Sequence, residues 1–162
     1  MLSIARSLLY TEVMKTITIC SSANFYKQVI AIKTELEQLG YKVSVPQTAL
    51  RMEASGDFDV THYKTWFGDA SDYDKKAALM RAHFEEVAKG DATLVVNNEK
   101  HGQQNYIGGN VLMEMAIAFH LNKPIYILND IPHESSFLEE IIGLGSMPLG
   151  GDLQKLAASF PA

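Results

Sequence analysis

Thr16-Ile17-Thr18-Ile19-Cys20-Ser21-Ser22 is a β-branched run that closes in two serines. Behind it, residues 26–39 repeat apolar side chains at helical spacing (Val29, Ile30, Ile32, Leu36, Leu39) until Gly40 stops them. A strand signal that switches within a few positions to a 3.6-residue period describes one β-α unit. The alternation recurs downstream. Strands are expected at 42–46, closed by Pro46, at 92–97 and at 124–129, with helices over about 74–89 and 110–122. A helix over about 135–142, an extended segment near 147–149 and a terminal helix from Asp152 complete the pattern. The strands are continuously apolar rather than alternating, which marks a sheet buried on both faces. The chain is therefore read as α/β: a three-layer, doubly wound parallel sheet, flavodoxin-like or Rossmann-like, with about five strands.

Residues 47–73 break this rhythm. They hold Glu53, Asp57, Asp59, Asp69 and Asp72 with Tyr63, Trp66 and Phe67, and show little periodicity where a short connection is expected. An insertion after a strand lies over the carboxyl edge of the sheet, where ligands bind. The segment is expected to be a lid with aromatic surface for a flat ligand, or else a helical hairpin or subunit contact.

Length and composition narrow the class. At 162 residues the chain makes one domain over 14–162, large enough for a full core without a metal or disulfide. Its net charge of −5 and lack of basic runs argue against a nucleic-acid polymer as partner. No apolar run reaches the roughly 20 residues of a membrane span, so no membrane partner is expected. Cys20 is the single cysteine, which fits a reducing cytoplasm. Residues 1–13 precede a second methionine, Met14, and read as an extension that arises from an upstream start or packs on a partner subunit.

The chemistry centres on Gly108-Gly109-Asn110-Val111-Leu112-Met113-Glu114-Met115-Ala116. Between Val111 and Leu121 the only ionisable side chains are Glu114 and His120, so a helix here is buried and carries a carboxylate with it. Asn110 stands four residues before Glu114, on the same helix face. The diglycine allows a close backbone approach at a helix amino end that favours anions. Three strand ends supply hydroxyls and amides to the same edge: Ser21 and Ser22, Asn97 and Asn98, Asn129 and Asp130. Each taken singly reads equally well as a turn or cap residue. His83, two turns before the strand at 92, is a candidate proton donor or a surface histidine. There is no G-x-G-x-x-G and no P-loop, and His62, His83, His101, His120 and His133 show neither i, i+4 pairing nor a cysteine pair. No cofactor and no metal are expected.

At these residues the chain resembles the nucleoside 2-deoxyribosyltransferase superfamily, which includes the deoxynucleoside 5′-monophosphate N-glycosidases, and looks like a branch of its own within it. The resemblance spans roughly residues 15–129. It rests on the first strand's polar end, on Asp91-Ala92-Thr93-Leu94-Val95-Val96, and on a glycine turn followed by a helix with an embedded Glu and then Ala118 to Pro124. It implies that Glu114 attacks the anomeric carbon, that Ser22 binds a 5′-phosphate, and that the protein is a homodimer or higher homo-oligomer. The sequence departs from the pattern at three places. The first-strand aromatic hydroxyl is replaced by Thr18 or Ile19, the acid that protonates the leaving base falls at His83, and the turn before Glu114 is spaced differently. The expected substrate is a nucleoside or nucleotide whose N-glycosidic bond is hydrolysed or transferred. A nucleotide-sensing module, with Glu114 clamping ribose, and an NAD-cleaving glycohydrolase are the competing readings.

Overall fold

In the computed structural model, residues 13–162 are described. Five strands form one parallel sheet: β1 (Thr16–Ser21), β2 (Lys42–Ser44), β3 (Ala92–Val96), β4 (Ile125–Ile127) and β5 (Met147–Pro148), in the order β2-β1-β3-β4-β5. β1 pairs with β3 over its full usable length, from Ile17 opposite Ala92 to Ser21 opposite Val96. The order reverses between β1 and β3, and in open α/β sheets ligands bind beyond the strand ends at such a point.

The helices are α1 (Tyr26–Gln38), α2 (Gln47–Ser55), α3 (Tyr73–Lys89), α4 (Gly109–His120), α5 (Leu138–Gly143) and α6 (Leu153–Ser159). Side-chain alternation along the central strands sorts them into two layers. Ile17, Ile19, Ala92, Leu94, Val96 and Tyr126 point to one face, where they pack with Val29 and Leu36 of α1 and Leu153 and Leu156 of α6. Cys20, Val95, Ile125 and Ile127 point to the other, against Val87 of α3, Val111, Met115 and Ala118 of α4 and Ile141 of α5. The sheet is thus covered on both faces, as the continuous apolar strands require. Among the described residues no helix is long and apolar enough to cross a membrane.

Two details differ from the sequence reading. The segment at 47–73 is not aperiodic. It opens with α2, directly after Pro46, which buries Ala49 and Met52 beside α1, and continues as three short 3₁₀ turns. Trp66, expected at the surface, is 8% exposed, whereas Phe67 is 76% exposed. Residues 1–13, read as an extension, lie outside the described residues except for Val13, which is exposed.

Two tight contacts fix α3 on the sheet. A Cβ at Gly90, just past its end, would stand 2.3 Å from Thr18 Oγ1, so any larger residue there forces Thr18 or the helix end to shift. Thr18 Oγ1 itself donates to the Glu86 carbonyl at 3.0 Å. Lys123 Nζ donates to the carbonyls of Ala88 and Gly90, satisfying helix-end acceptors that have no partner within the helix.

Candidate active site

The strand alternation that places Cys20 under α3 and α4 also sets the floor of a cleft on that side of the switch point. The cleft holds about 680 Å³ of space not filled by atoms, the open solvent at its mouth included. α3 supplies one wall from a single stripe, in which Leu79 and Met80 stand three and four residues after Lys76, His83 four and three after them, and Glu86 three further on. α4 contributes Asn110 and Glu114, and the turns after α2 contribute Val60, Tyr63, Lys64 and Trp66. The inserted segment therefore does border the site, with Trp66 as part of its packed wall.

Glu114 is 3% exposed. Asn110 Nδ2 donates to its Oε1 at 2.8 Å, the pairing expected from the four-residue spacing. Oε2 has no hydrogen-bond partner. Burial pushes the carboxyl up to about 7, and the neighbouring Cys20 thiol, the Lys76 charge and the Asn110 bond oppose that rise without cancelling it. Asn110 is itself oriented by Lys76, whose Nζ donates to Oδ1 at 2.9 Å and lies 5.7 Å from the Trp66 ring centroid.

His83 is brought to Glu114, with Nε2 at 4.0 Å from Oε2. Burial holds its pKa below the ordinary histidine value, so the ring is neutral near pH 7 and the contact is not an ion pair. Nε2 also faces the Ile19 carbonyl at 3.1 Å and Cys20 Sγ at 3.6 Å, while Nδ1 has no partner. This imidazole serves the floor of the cleft.

The other residues singled out from sequence fall in different places. Ser21 is buried and its hydroxyl turns back to the Ser22 carbonyl. Ser22 Oγ accepts from Lys100 Nζ at 3.1 Å. Asn97 and Asn129 hold each other: the Asn129 amide N–H donates to Asn97 Oδ1 at 2.9 Å, and Asn129 Nδ2 donates to the Asn97 carbonyl at 3.2 Å. Asn97 Nδ2 spans to the Asp130 carbonyl at 2.9 Å. These amides lock β3 to β4, and Asn129 borders a separate shallow cleft with Asn98 and Asp130, whose lining does not include Glu114. Gly108 makes room for a neighbour rather than a ligand, since a Cβ there would stand 2.8 Å from the Tyr106 hydroxyl. Gly109 opens α4 with nothing within 4 Å of the added carbon, leaving the helix amino end accessible.

Four groups were not legible from spacing. Tyr26, the first residue of α1, lines the cleft, and its phenol is held well above the ordinary tyrosine range by burial and by the Glu114 charge. An aromatic hydroxyl is thus present near the carboxylate although β1 does not carry it. Lys64, Lys76 and Lys100 are half-buried, and the pKa of each is lowered, first of all by burial. The Lys64 charge adds to the lowering at both Lys76 and Lys100. Among the described residues none of the three has a carboxylate within 4.0 Å. Lys64 thus acts on two other cations, and Glu114 is the acid whose charge reaches Lys76.

Sequence spacing also concealed a cluster of metal-competent atoms, because three elements contribute one each. Cys20, His83 and Glu114, all buried, bring their ligand atoms within 4.8 Å of one another.

No family model and no curated protein matches the chain.

Proposed function

We propose that the protein hydrolyses or transfers the N-glycosidic bond of a nucleoside 5′-phosphate, with Glu114 as the nucleophile. The observation that carries this reading is the free Glu114 Oε2 at the base of the cleft, with the other carboxylate oxygen fixed by Asn110. A buried carboxylate with one oxygen oriented and one unengaged suits attack on an electrophilic carbon. Oε2 forms a bond to C1′ as the C1′–N bond breaks, its electron pair leaving with the base, which takes a proton from water at the open mouth of the cleft. Water attacking C1′ of the glycosyl ester gives hydrolysis, and a second base gives transfer. Tyr26 and Trp66 supply aromatic surface beside the reacting atoms. Lys64, Lys76 and Lys100, with Ser22 bonded to Lys100, supply the positive field for the phosphate. His83 acts on Glu114 rather than on the leaving base, and Glu86 is the second carboxyl on the cleft wall.

Incubating the protein and Glu114→Gln with nucleosides, their 5′-monophosphates and NAD tests the reading. Base release by the wild type, favouring monophosphates, with a sugar adduct by intact mass and at least a 10³-fold loss in Glu114→Gln, is expected on the scale of losing a catalytic nucleophile. Tight binding without base release from either protein would instead identify a nucleotide sensor. Equal release from both would remove Glu114 from the chemistry.

A further inference from the structure

Cys20 from β1, His83 from α3 and Glu114 from α4 lie at the cleft floor with 0%, 7% and 3% exposure. The glycosyl reading uses only one of the three as a reacting group. Around His83 Nε2 stand three electron-pair donors: the Ile19 carbonyl at 3.1 Å, Cys20 Sγ at 3.6 Å and Glu114 Oε2 at 4.0 Å. One ring nitrogen carries at most one proton and satisfies one of them well. Glu114 Oε2 is left without a hydrogen-bond partner, although buried carboxylate oxygens are normally satisfied.

We propose that Cys20, His83 and Glu114 form a binding site for a thiophilic divalent transition-metal ion of the zinc type, with the cleft supplying the remaining coordination position. Thiolate, imidazole and carboxylate are the three protein ligands zinc uses. At metal–ligand distances of about 2.0–2.3 Å, tetrahedral ligands stand about 3.3–3.8 Å apart. The spacings of 3.6 Å and 4.0 Å are at or near that range, and all three ligand atoms lie within 4.8 Å of one another, so the Cys20–Glu114 side closes with a contraction of at most about 1 Å. Asn110 already provides the outer contact that orients a ligating carboxylate, bonding Oε1 and leaving Oε2 free. Ligation through Nε2 gives up the Ile19 bond and places the imidazole proton on Nδ1, which is buried without a partner, a cost that binding of the ion has to exceed.

The protons balance. The cation displaces the Cys20 thiol proton and whatever proton Glu114 holds, and both leave to solvent. A thiolate and a carboxylate then neutralise a 2+ charge, so the buried cluster carries no net charge, and affinity rises with pH. The ion occupies Oε2, which attack at C1′ requires. Metal binding and glycosyl transfer are therefore mutually exclusive, and the metal site stands whether or not the glycosyl reading does.

Cobalt(II) titration of the full chain, without substrate, is the test. Cys20 is the only thiol, so a sulfur-to-cobalt charge-transfer band reports this site alone. The expected result is a band that saturates at one equivalent, with tetrahedral ligand-field absorption, proton release and displacement by zinc. The band disappears in Cys20→Ser, and affinity falls about tenfold or more in Glu114→Gln and His83→Gln. Cobalt binding without a thiolate band, or a band that grows only in large excess, overturns the proposal on the wild-type protein, whatever the folding of the variants. Unchanged affinity in folded Glu114→Gln and His83→Gln overturns it equally. Zinc binding by a protein that, once stripped of metal by a chelator, still releases no base supports the metal site and removes the glycosyl reading.

Discussion

Burial drives the Glu114 carboxyl up to about 7, so near neutrality about half the molecules hold it protonated. Attack needs the ionised form. Base release should therefore rise with pH through about 7, and Asn110→Ala, which removes a donor to the carboxylate, should move that limb to higher pH in a kcat/KM profile. The same residue sets a stability trend of definite sign. Its folded-state pKa lies above the 4.5 of the exposed group, so the folded protein binds more protons between those values and stability falls as pH rises from about 4.5 through 7. Above that window the buried charge costs about 3 kcal/mol, at 1.36 kcal/mol per pKa unit. Glu114→Gln should accordingly be more stable than the wild type at pH 8 and lose most of that advantage at pH 5, as read by denaturant unfolding. The Glu114–Asn110 pair was legible in the sequence because both sit on one helix at a four-residue step. Cys20, Tyr26 and the three lysines were not, because they converge from separate elements, and a linear chain carries no local period for such a meeting.

At the level of elements, β1, α3 and α4 form the site-bearing half of the sandwich, and α3 is seated by the Gly90–Thr18 contact. Gly90→Ala forces a carbon to 2.3 Å from Thr18 Oγ1, and overpacking of this kind costs about 1–3 kcal/mol. The variant should lower the unfolding midpoint, and Thr18→Ala should recover part of the loss in the double mutant, giving a measurable coupling. The strands and long helices were readable because their apolar periods are sustained over many residues. α2 escaped because its nine residues bury only Ala49 and Met52, too brief a signal beside the charged stretch that follows. The strand-end amides Asn97 and Asn129 were placed on the correct edge, but their side chains lock β3 to β4 instead of facing the cleft.

For the molecule as a whole, a net charge of −5 contrasts with Lys64 and Lys76 on the cleft wall and Lys100 bonded to Ser22, none of them ion-paired among the described residues. Lys64→Met with Lys100→Met should raise KM for a 5′-monophosphate about tenfold or more while leaving that of the unphosphorylated nucleoside nearly unchanged, and the difference should shrink at high salt. The cleft wall itself has a consequence for how such a chain diverges. Lys76, Met80 and Glu86 lie half-exposed along α3, while Val87 and the Gly90 and Lys123 contacts dock that helix on the sheet. Apart from Glu86, which also accepts from Ser44 Oγ of β2 at 2.8 Å, recognition and folding therefore occupy different edges of one helix, so descendants of this sequence are free to explore new ligands by substitution at 76 and 80 without first having to reinvent a way to fold.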